Sequence, residues 1–406
     1  MATHQVSSLE GQAYLEDPIY KRIATSRSWL FDVRRSFHQE PELSEAEFKT
    51  QEKIMTLLNE MNINNYPSAA TGVCGVLLKE ESSKTIGLRA DIDALPIQEV
   101  LDLPFKSRID NVMHACGHDA HTTILLGVAK FFSENTALQP CNLKFFFQPA
   151  EETIGGAMRM VSEGVMKSPD VDCVLGLHVM PYLPVGAVEL REGKLNAASD
   201  LFEVKIIGKA AHGAYPTKGI DAIVVAASII NDIQTLISRY VSPLDQAVIT
   251  IGRIHGGAKD NIICDEVVFS GGMRTTDEAT RQLLKEKLQS LVMSVCSWSG
   301  AKAEIRFEEG YKALINDIGV TRHLKKVFQN ELGEANVYEK ELPSLGVEDF
   351  SYFLDVAKGA FYHLGCGLKD RLDGALHTHD FYLDEEALVL GTYLQVKAII
   401  ACASDL

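Results

Sequence analysis

The order of strands and helices changes twice along this chain, and that change constrains its fold more than any other feature. Between residues 201 and 307 the apolar pattern predicts the order β-α-β-β-α-β. The predicted strands span residues 201–207, 247–254, 267–274 and 303–307, and the predicted helices span residues 220–240 and 277–296. This order is that of a split βαβ domain, which is an α+β unit.

The segments on either side of this insertion alternate strands with helices. A helical entry over residues 18–61, interrupted near residues 40–42, leads to strands at 73–78, 85–89, 143–148 and 171–178 and helices at 122–133 and 155–163. After Gly310 the pattern predicts helices at 319–331, from Glu348 and from Asp384, and a strand at 359–365. We therefore predict an α/β domain of residues 1–197 and 310–406 that carries the inserted domain 198–309.

Length, charge and cysteine content exclude several classes of protein. A chain of 406 residues favours two cores, and its dispersed net charge of −16 argues against nucleic acid or a membrane surface as a partner. We expect no membrane-spanning helix, no secretory signal and a cytoplasmic location. The eight scattered cysteines do not resemble a disulfide scaffold, so we expect most of them to be buried free thiols.

One short segment concentrates metal-ligating side chains. Residues 114–121 read HACGHDAH, with three imidazoles, one thiol and one carboxylate, all of which bind first-row transition metals. The alternative is a polar helix N-terminus that happens to be rich in histidine. Because Gly117 permits a tight turn just before a helical run, we favour the metal site.

Further candidates follow predicted strands. Glu151 and Glu152 come directly after the strand at 143–148, where an open α/β sheet places its ligands, and His178 ends another apolar run. One glutamate can bind a metal while the other acts as a general base, although an exposed acidic loop would look the same. Near the C-terminus, spacing alone does not decide between His377 and His379.

These motifs together resemble the aminoacylase, hippurate hydrolase and auxin-conjugate amidohydrolase branch of the co-catalytic dinuclear metallopeptidases. The resemblance covers residues 29–390, and seven ordered segments carry it: FHQEPEL (37–43), RADIDALP (89–96), HACGHD (114–119), QPAEE (148–152), GLH (176–178), GVEDF (346–350) and LH (376–377). It implies a hydrolase-like catalytic domain with a mixed β-sheet covered by helices, and an inserted ferredoxin-like lid, which is also the dimerisation domain.

The resemblance also implies a set of site residues. Two divalent metal ions, zinc or manganese with cobalt or nickel as alternatives, are expected on five ligands: Cys116, His118, Glu152, His178 and His377. Glu151 is expected to be the general base. Relatives outside this branch have a histidine ligand at position 91, so here we expect Asp91 and Asp93 to hold the ligands in position.

Three residues of the inserted domain match substrate-binding positions of the family. His212 matches a histidine that steadies the oxyanion, although a surface hairpin histidine would look the same, and Asn261 and Arg274 match positions that bind the substrate carboxylate or help form the dimer. The chain departs from the family pattern at residues 262–264 and 311–312, so we expect two local differences in loop shape.

The expected function is hydrolysis of the amide bond of an N-acyl amino acid by metal-activated water, with Glu151 as base. The expected partner is a small-molecule N-acyl amino acid, together with a possible second copy of the chain, with neither nucleic acid nor a membrane involved. The alternatives are a dipeptidase or carboxypeptidase on the same scaffold and, less favoured, a non-catalytic binder of acylated amino acids.

Overall fold

The computed structural model describes residues 13–368 and 372–405. Residues 1–12, on which the expected lack of a secretory signal largely depends, lie outside that range. The chain divides into a first unit of Met1–Gly193, Ile315–Glu341 and Asp349–Leu406, and a second unit of Lys194–Leu314 and Leu342–Glu348. The domain boundaries drawn from the sequence stay a prediction.

The first unit is built on a long mixed sheet with helices on both faces. Its strands are β1 (Asn64–Ser68), β2 (Gly72–Leu77), β3 (Thr85–Asp91), β4 (Asn142–Gln148), β5 (Cys173–Pro184), β6 (Val188–Leu190), β15 (Val337–Glu339) and β16 (Lys358–Gly367). Its helices are α1 (Pro18–Ala24), α2 (Arg27–Gln39), α3 (Phe48–Glu60), α4 (His118–Glu134), α5 (Gly156–Ser162), α8 (Ile318–Leu332), α9 (Ser351–Leu354) and α10 (Glu386–Asp405).

The strand order in the described part of this sheet is β1-β2-β4-β3-β5-β16-β6-β15. The central strands β4, β3, β5 and β16 run parallel, whereas β1, β2 and β6 each pair with a neighbour in the antiparallel direction. Parallel strands end at the same edge of a sheet, so side chains that follow β3 and β4 come close together there.

Strand β4 explains why both faces of the sheet are covered. Its sequence is apolar at its centre, and all seven residues are buried. Alternate side chains of a strand point to opposite faces. Phe145 and Phe147 pack into the main core, while Phe146 stacks on Phe353 of α9 with ring centroids 5.2 Å apart. On the face opposite α9, α4 packs against α10 and α2.

The second unit has a smaller antiparallel sheet and two helices. Its elements are β8 (Ala198–Ile207), β9 (Ala211–His212), α6 (Ala222–Tyr240), β10 (Ala247–Gly256), β11 (Ile262–Ile263), β12 (Glu266–Thr275), α7 (Glu278–Ser299) and β13 (Lys302–Glu309), while β7 (Gly193–Asn196) and β14 (Leu314–Asn316) lie at its boundaries. The sheet order is β10-β12-β8-β13, and α6 and α7 pack on its apolar face. The predicted class, an α/β sheet with an additional α+β unit, is confirmed.

Three local predictions were wrong. The helical entry contains three helices instead of two, because the N–H groups of Thr25 and Ser26 bond to carbonyls three residues back instead of four, and α1 ends there. The helix expected from Glu348 begins at Ser351 and lasts one turn, since the preceding Asp349 side chain points inward to Arg89. His178 lies in the middle of β5, because pairing with β16 carries that strand on to Pro184.

All eight cysteines fall within the described residues, where all are buried and none forms a disulfide, as expected. Two helices, Ala222–Tyr240 and Glu386–Ser404, are long and apolar enough to cross a membrane by length and composition alone. The sequence analysis, which looked for about 20 consecutive apolar residues, found no such stretch. The two helices are weak evidence for a membrane span, since 78% of the window in the second helix is buried, as in a core helix of a soluble protein.

Candidate metal centre and active site

The site lies where β3 and β4 end side by side. Asp91 ends β3 and pairs in register with Gln148, which ends β4. The segment after β3 brings Asp93 to this edge, and the segment after β4 brings Glu151 and Glu152. The three carboxylates therefore meet at the carboxyl ends of two parallel strands, as the sequence predicted for Glu151 and Glu152.

Gly117 sets the position of the ligand-rich segment at the start of α4. Its φ of 88° is left-handed, and an added Cβ would lie 2.4 Å from a methyl group of Val179, so glycine is required here. Cys116 and His118, on either side of this turn, are both buried. The turn thus directs both side chains to the same edge of the sheet.

Two histidines from distant parts of the chain meet Cys116. The Nε2 atom of His178 lies 3.3 Å from the Cys116 sulfur, and Nε2 of His377 lies 3.2 Å from it. His377 has a φ of 60°, which is uncommon for a residue other than glycine. His379, the alternative left open by the sequence, is exposed and lies beside Asp380.

The two glutamates complete the cluster. The potential ligand atoms of Cys116, Glu152 and His377 lie within 4.8 Å of one another, and those of His118, Glu151 and Glu152 form a second group of the same kind. Cys116 and His178 also share such a group with His118. The structure therefore brings all five expected ligands, and the expected base, into one continuous cluster.

Asp93 joins two members of this cluster. Its Oδ2 atom accepts a hydrogen bond from the Glu152 backbone N–H at 3.0 Å, and Nδ1 of His118 lies 2.9 Å from its carbonyl oxygen. Because Nδ1 faces an acceptor, Nε2 of His118 keeps its lone pair. Burial would raise the pKa of the Asp93 carboxyl, but the His118 ring, with Nδ1 3.1 Å from Oδ1, and the Glu152 N–H outweigh it and lower this pKa.

The free atoms in the cluster fit a metal. Nε2 of His118 is buried and has no hydrogen-bond partner within the described residues, although burying a polar atom in this way is costly. Burial also raises the pKa of the Cys116 thiol well above its usual range. A metal ion would accept the imidazole lone pair and deprotonate the thiol, so it removes both penalties at once.

Behind the ligands lies a buried polar network at the ends of β3 and β4. Arg89 donates to Asp91 at 2.8 Å, to Gln148 at 2.7 Å and to Asp349 at 2.9 Å, and it is almost completely buried. Asp349 also accepts from the Ala157 N–H at 3.1 Å. The network fixes the carboxyl ends of both strands, and it includes Asp349 of the GVEDF segment.

The sequence analysis missed a second buried network beneath α4. Asp119 binds Arg34 at 2.9 Å and His38 at 2.8 Å, and His38 lies 3.3 Å from Glu99. Burial opposes ionisation, but Arg34 outweighs it and the pKa of Asp119 is strongly lowered. The sequence did place His38 in the FHQEPEL segment, which could have marked it as part of the site. Nothing in the sequence indicated that its partner is Asp119.

Two histidines of the HACGHDAH segment are not in the expected ligand set. His114 is buried, neither ring nitrogen has a partner among the described residues, and burial lowers its pKa to about 4. His121 lies 2.6 Å from Asp91. Of the three imidazoles in this segment, His118 therefore lies in the ligand cluster, His121 lies against Asp91, and His114 is buried apart from both.

The substrate-binding candidates belong to the second unit. His212 is exposed in β9, which pairs with β11, and its Nδ1 atom accepts a hydrogen bond from the Ala214 N–H at 3.1 Å. Asn261 is also exposed, and its carbonyl accepts from the Gly213 N–H at 2.8 Å, so it lies beside the His212 turn. Arg274, in β12, has a buried Nη1 without a hydrogen-bond partner in the described chain.

Comparison with known proteins gives this site a context. The sequence profile of peptidase family M20/M25/M40 matches residues 87–401. The N-acetyl-L-cysteine deacetylase of Bacillus subtilis is 38% identical over 372 residues, which cover 91% of this chain and 87% of the deacetylase. Thermostable carboxypeptidase 2 of Saccharolobus solfataricus is 37% identical over 371 residues, which cover 89% of this chain and 92% of the carboxypeptidase.

A solved structure agrees with the fold. The YXEP protein of Bacillus subtilis, described as a dinuclear metal binding peptidase from the M20 family, has a TM-score of 0.82 and 32% sequence identity. The match covers 94% of this chain and 100% of the YXEP chain. The resemblance stated from the motifs is therefore confirmed. The chain belongs to peptidase family M20/M25/M40 and is an amide-bond hydrolase.

Proposed function

We propose that the protein hydrolyses the amide bond of N-acyl amino acids. The observation that carries the proposal is the grouping of Glu151 with Glu152 and His118, whose ligand atoms lie within 4.8 Å of one another. Because both adjacent glutamates reach the same cluster, Glu152 can bind a metal ion while Glu151 takes a proton from water. The N-acetyl-L-cysteine deacetylase, at 38% identity, supports an acyl amino acid as the substrate.

Five side chains are proposed to hold two divalent ions: Cys116, His118, Glu152, His178 and His377. When bound, the ions supply Lewis acidity to the amide carbonyl and lower the pKa of water. Thiolate and imidazole donors suit zinc, and manganese, cobalt or nickel are alternatives.

Glu151 is proposed to move the proton of the reaction. It takes the proton from the attacking water and passes it to the amide nitrogen as the carbon–nitrogen bond breaks. The new carbon–oxygen bond completes a carboxyl group, which gives the second proton of the water to the departing amine. The products are therefore a carboxylate and an amino acid with a protonated amine. Glu151 is left unprotonated and ready for the next turnover.

The second unit is proposed to bind the substrate and to act as a lid. Because Nδ1 of His212 accepts a hydrogen bond, the proton of the neutral ring is on Nε2, which suits donation to a developing oxyanion. Arg274 has a buried donor without a partner in the described chain, which suits a substrate carboxylate. Asn261 lies beside the His212 turn and completes this set.

The same unit is proposed to form a homodimer. Ile223 and Val224 of α6 are 48% and 63% exposed, and β10 lies at the edge of its sheet with Ile254 52% exposed. An apolar helix face beside an open strand edge suits a second copy of the chain. The proposed location is cytoplasmic, which rests on the sequence alone.

A panel of substrates tests the proposal. Chelated enzyme is compared with enzyme reloaded with zinc or manganese, and amine release is measured from N-acetyl, N-benzoyl and indole-acyl amino acids and from dipeptides. We expect metal-restored release from an N-acyl class. Release from dipeptides alone would instead favour a peptidase, the alternative supported by the carboxypeptidase relative at 37% identity. Silence across the panel with metal bound would favour a non-catalytic binder.

A further inference from the structure

His121 has both ring nitrogens occupied by the protein. The Val179 backbone N–H donates to Nε2 of His121 at 2.8 Å, so the proton of the neutral ring is on Nδ1. That Nδ1 lies 2.6 Å from Oδ1 of Asp91, to which it donates. His121, His118 and Asp91 approach one another closely enough to form a metal-sized group, yet His121 has no lone pair left for a metal.

The backbone of Val179 connects His121 to His178. The carbonyl oxygen of Val179 lies 2.8 Å from Nδ1 of His178, which fixes the proton of His178 on Nδ1. Nε2 of His178 is thereby left as an acceptor, 3.3 Å from the Cys116 sulfur. The backbone of one residue, Val179, thus accepts a hydrogen bond from the His178 ring on its carbonyl and donates its N–H to the His121 ring.

Asp91 is itself held in place. Arg89 donates to its Oδ2 at 2.8 Å, and the Thr122 hydroxyl donates to its carbonyl oxygen at 3.0 Å. Asp91 and His121 are both almost completely buried, so their hydrogen bond is shielded from water. The chain of contacts therefore runs without a break from Arg89 to the metal cluster.

We propose that His121, oriented by Asp91, is a positioning residue that fixes the Val179 backbone and so aims His178 at the metal. The inference rests on the proposed function, because it assigns His178 a metal. It predicts that His121 affects metal binding without touching the metal. Removing a residue that holds a metal ligand in position typically weakens metal binding by about 10- to 100-fold.

The His121 and His178 rings also touch, with centroids 4.5 Å apart, so packing must be separated from hydrogen bonding. His121→Phe keeps an aromatic ring but loses both hydrogen bonds. His121→Gln keeps an amide oxygen that can accept from the Val179 N–H. Thr123→Val is the matched control, since Thr123 is equally buried on α4 and its hydroxyl donates to the Asp119 carbonyl, away from the His121 contacts.

The experiment measures metal binding directly, by competition with a chelator, and the absorption spectrum of the cobalt-loaded protein. We expect His121→Phe to weaken binding of one ion by about 10- to 100-fold and to alter the cobalt spectrum. His121→Gln should restore part of the affinity, and Thr123→Val should match the wild type in both measurements.

Wild-type affinity and spectrum in His121→Phe would overturn the inference. If His121→Phe does not fold, His121→Gln and Asp91→Asn are measured in its place. Wild-type metal binding in both variants would overturn the inference. A wild-type protein that takes up no metal would contradict the proposed function itself, so the two failures are distinguishable.

Discussion

Asp93 couples two candidate metal ligands that lie far apart in the sequence. Its Oδ2 atom accepts the Glu152 backbone N–H at 3.0 Å, and its Oδ1 atom lies 3.1 Å from Nδ1 of His118. A single buried carboxylate therefore sets the tautomer of one ligand and the backbone position of another. Its effect on the metal site is indirect, since it acts through both neighbours.

Replacing Asp93 with Asn should weaken the metal site. Asn retains the shape but loses the charge that favours a donated proton on His118 Nδ1, so we expect metal affinity to fall by about 10- to 100-fold. Chelator competition measures this change. Ser44→Ala is the control, because it removes only the hydroxyl that donates to Asp93 at 2.7 Å. Unchanged affinity in Asp93→Asn would show that the carboxylate has no role in positioning.

Much of this site could be predicted from the sequence, because the relevant residues sit in short segments at strand ends or at a helix start. The local pattern singled out the segments that contain Cys116, His118 and Glu152, and the family resemblance chose these residues within them. The structure brings them together with His178 and His377. The choice between His377 and His379 could not be made from local spacing. The left-handed backbone at His377, which no local sequence pattern predicts, directs that side chain toward Cys116.

The buried networks could not be predicted, because their partners are distant in the chain. Arg34 meets Asp119 across 85 residues, and Arg89 meets Asp349 across 260 residues. Likewise, β5 continues beyond His178 because β16 pairs with it, although β16 begins only at Lys358. Pairing between distant segments overrides the local pattern in each of these cases.

The second unit contains a buried ion cluster whose loss should be costly. Asp200 lies 2.7 Å from two nitrogens of Arg281 and 3.0 Å from Lys285, and all three side chains are at least nine-tenths buried. Asp200→Ala leaves two buried cations without this partner, so we expect a loss of about 3–5 kcal/mol in the free energy of unfolding. Chemical denaturation measures the loss.

Glu203→Ala provides the control for this prediction, since Glu203 lies on the same strand, β8. Its ion pair with Arg253 is exposed, and such pairs contribute no more than about 1 kcal/mol. Equal effects of Asp200→Ala and Glu203→Ala would contradict the assignment of the Asp200 cluster as a stabilising centre of the second unit.

Glu189 should make the free energy of unfolding depend on pH in the acidic range. Burial opposes ionisation, but His363, Lys340 and Tyr182 surround the carboxylate and lower its pKa from 4.5 to about 2. A lowered folded-state pKa contributes stability above the unfolded value, and the contribution is lost as the pH falls toward 2. Wild type should therefore exceed Glu189→Gln in unfolding free energy near neutral pH.

The difference between wild type and Glu189→Gln should shrink as the pH falls from about 4.5 toward 2. Denaturation of both proteins at several pH values measures it. A difference that stays constant over this range would mean that the charge of Glu189 contributes nothing, and that its role is limited to neutral hydrogen bonds.

The central claim, that Glu151 moves the proton while its neighbours hold the metals, is tested most directly by Glu151→Gln. Metal content and amine release from an N-acetyl amino acid are measured on the same preparation. The account predicts metal content close to that of the wild type and a fall in kcat of about a hundredfold or more. Activity close to the wild type in a fully metal-loaded Glu151→Gln protein would contradict it.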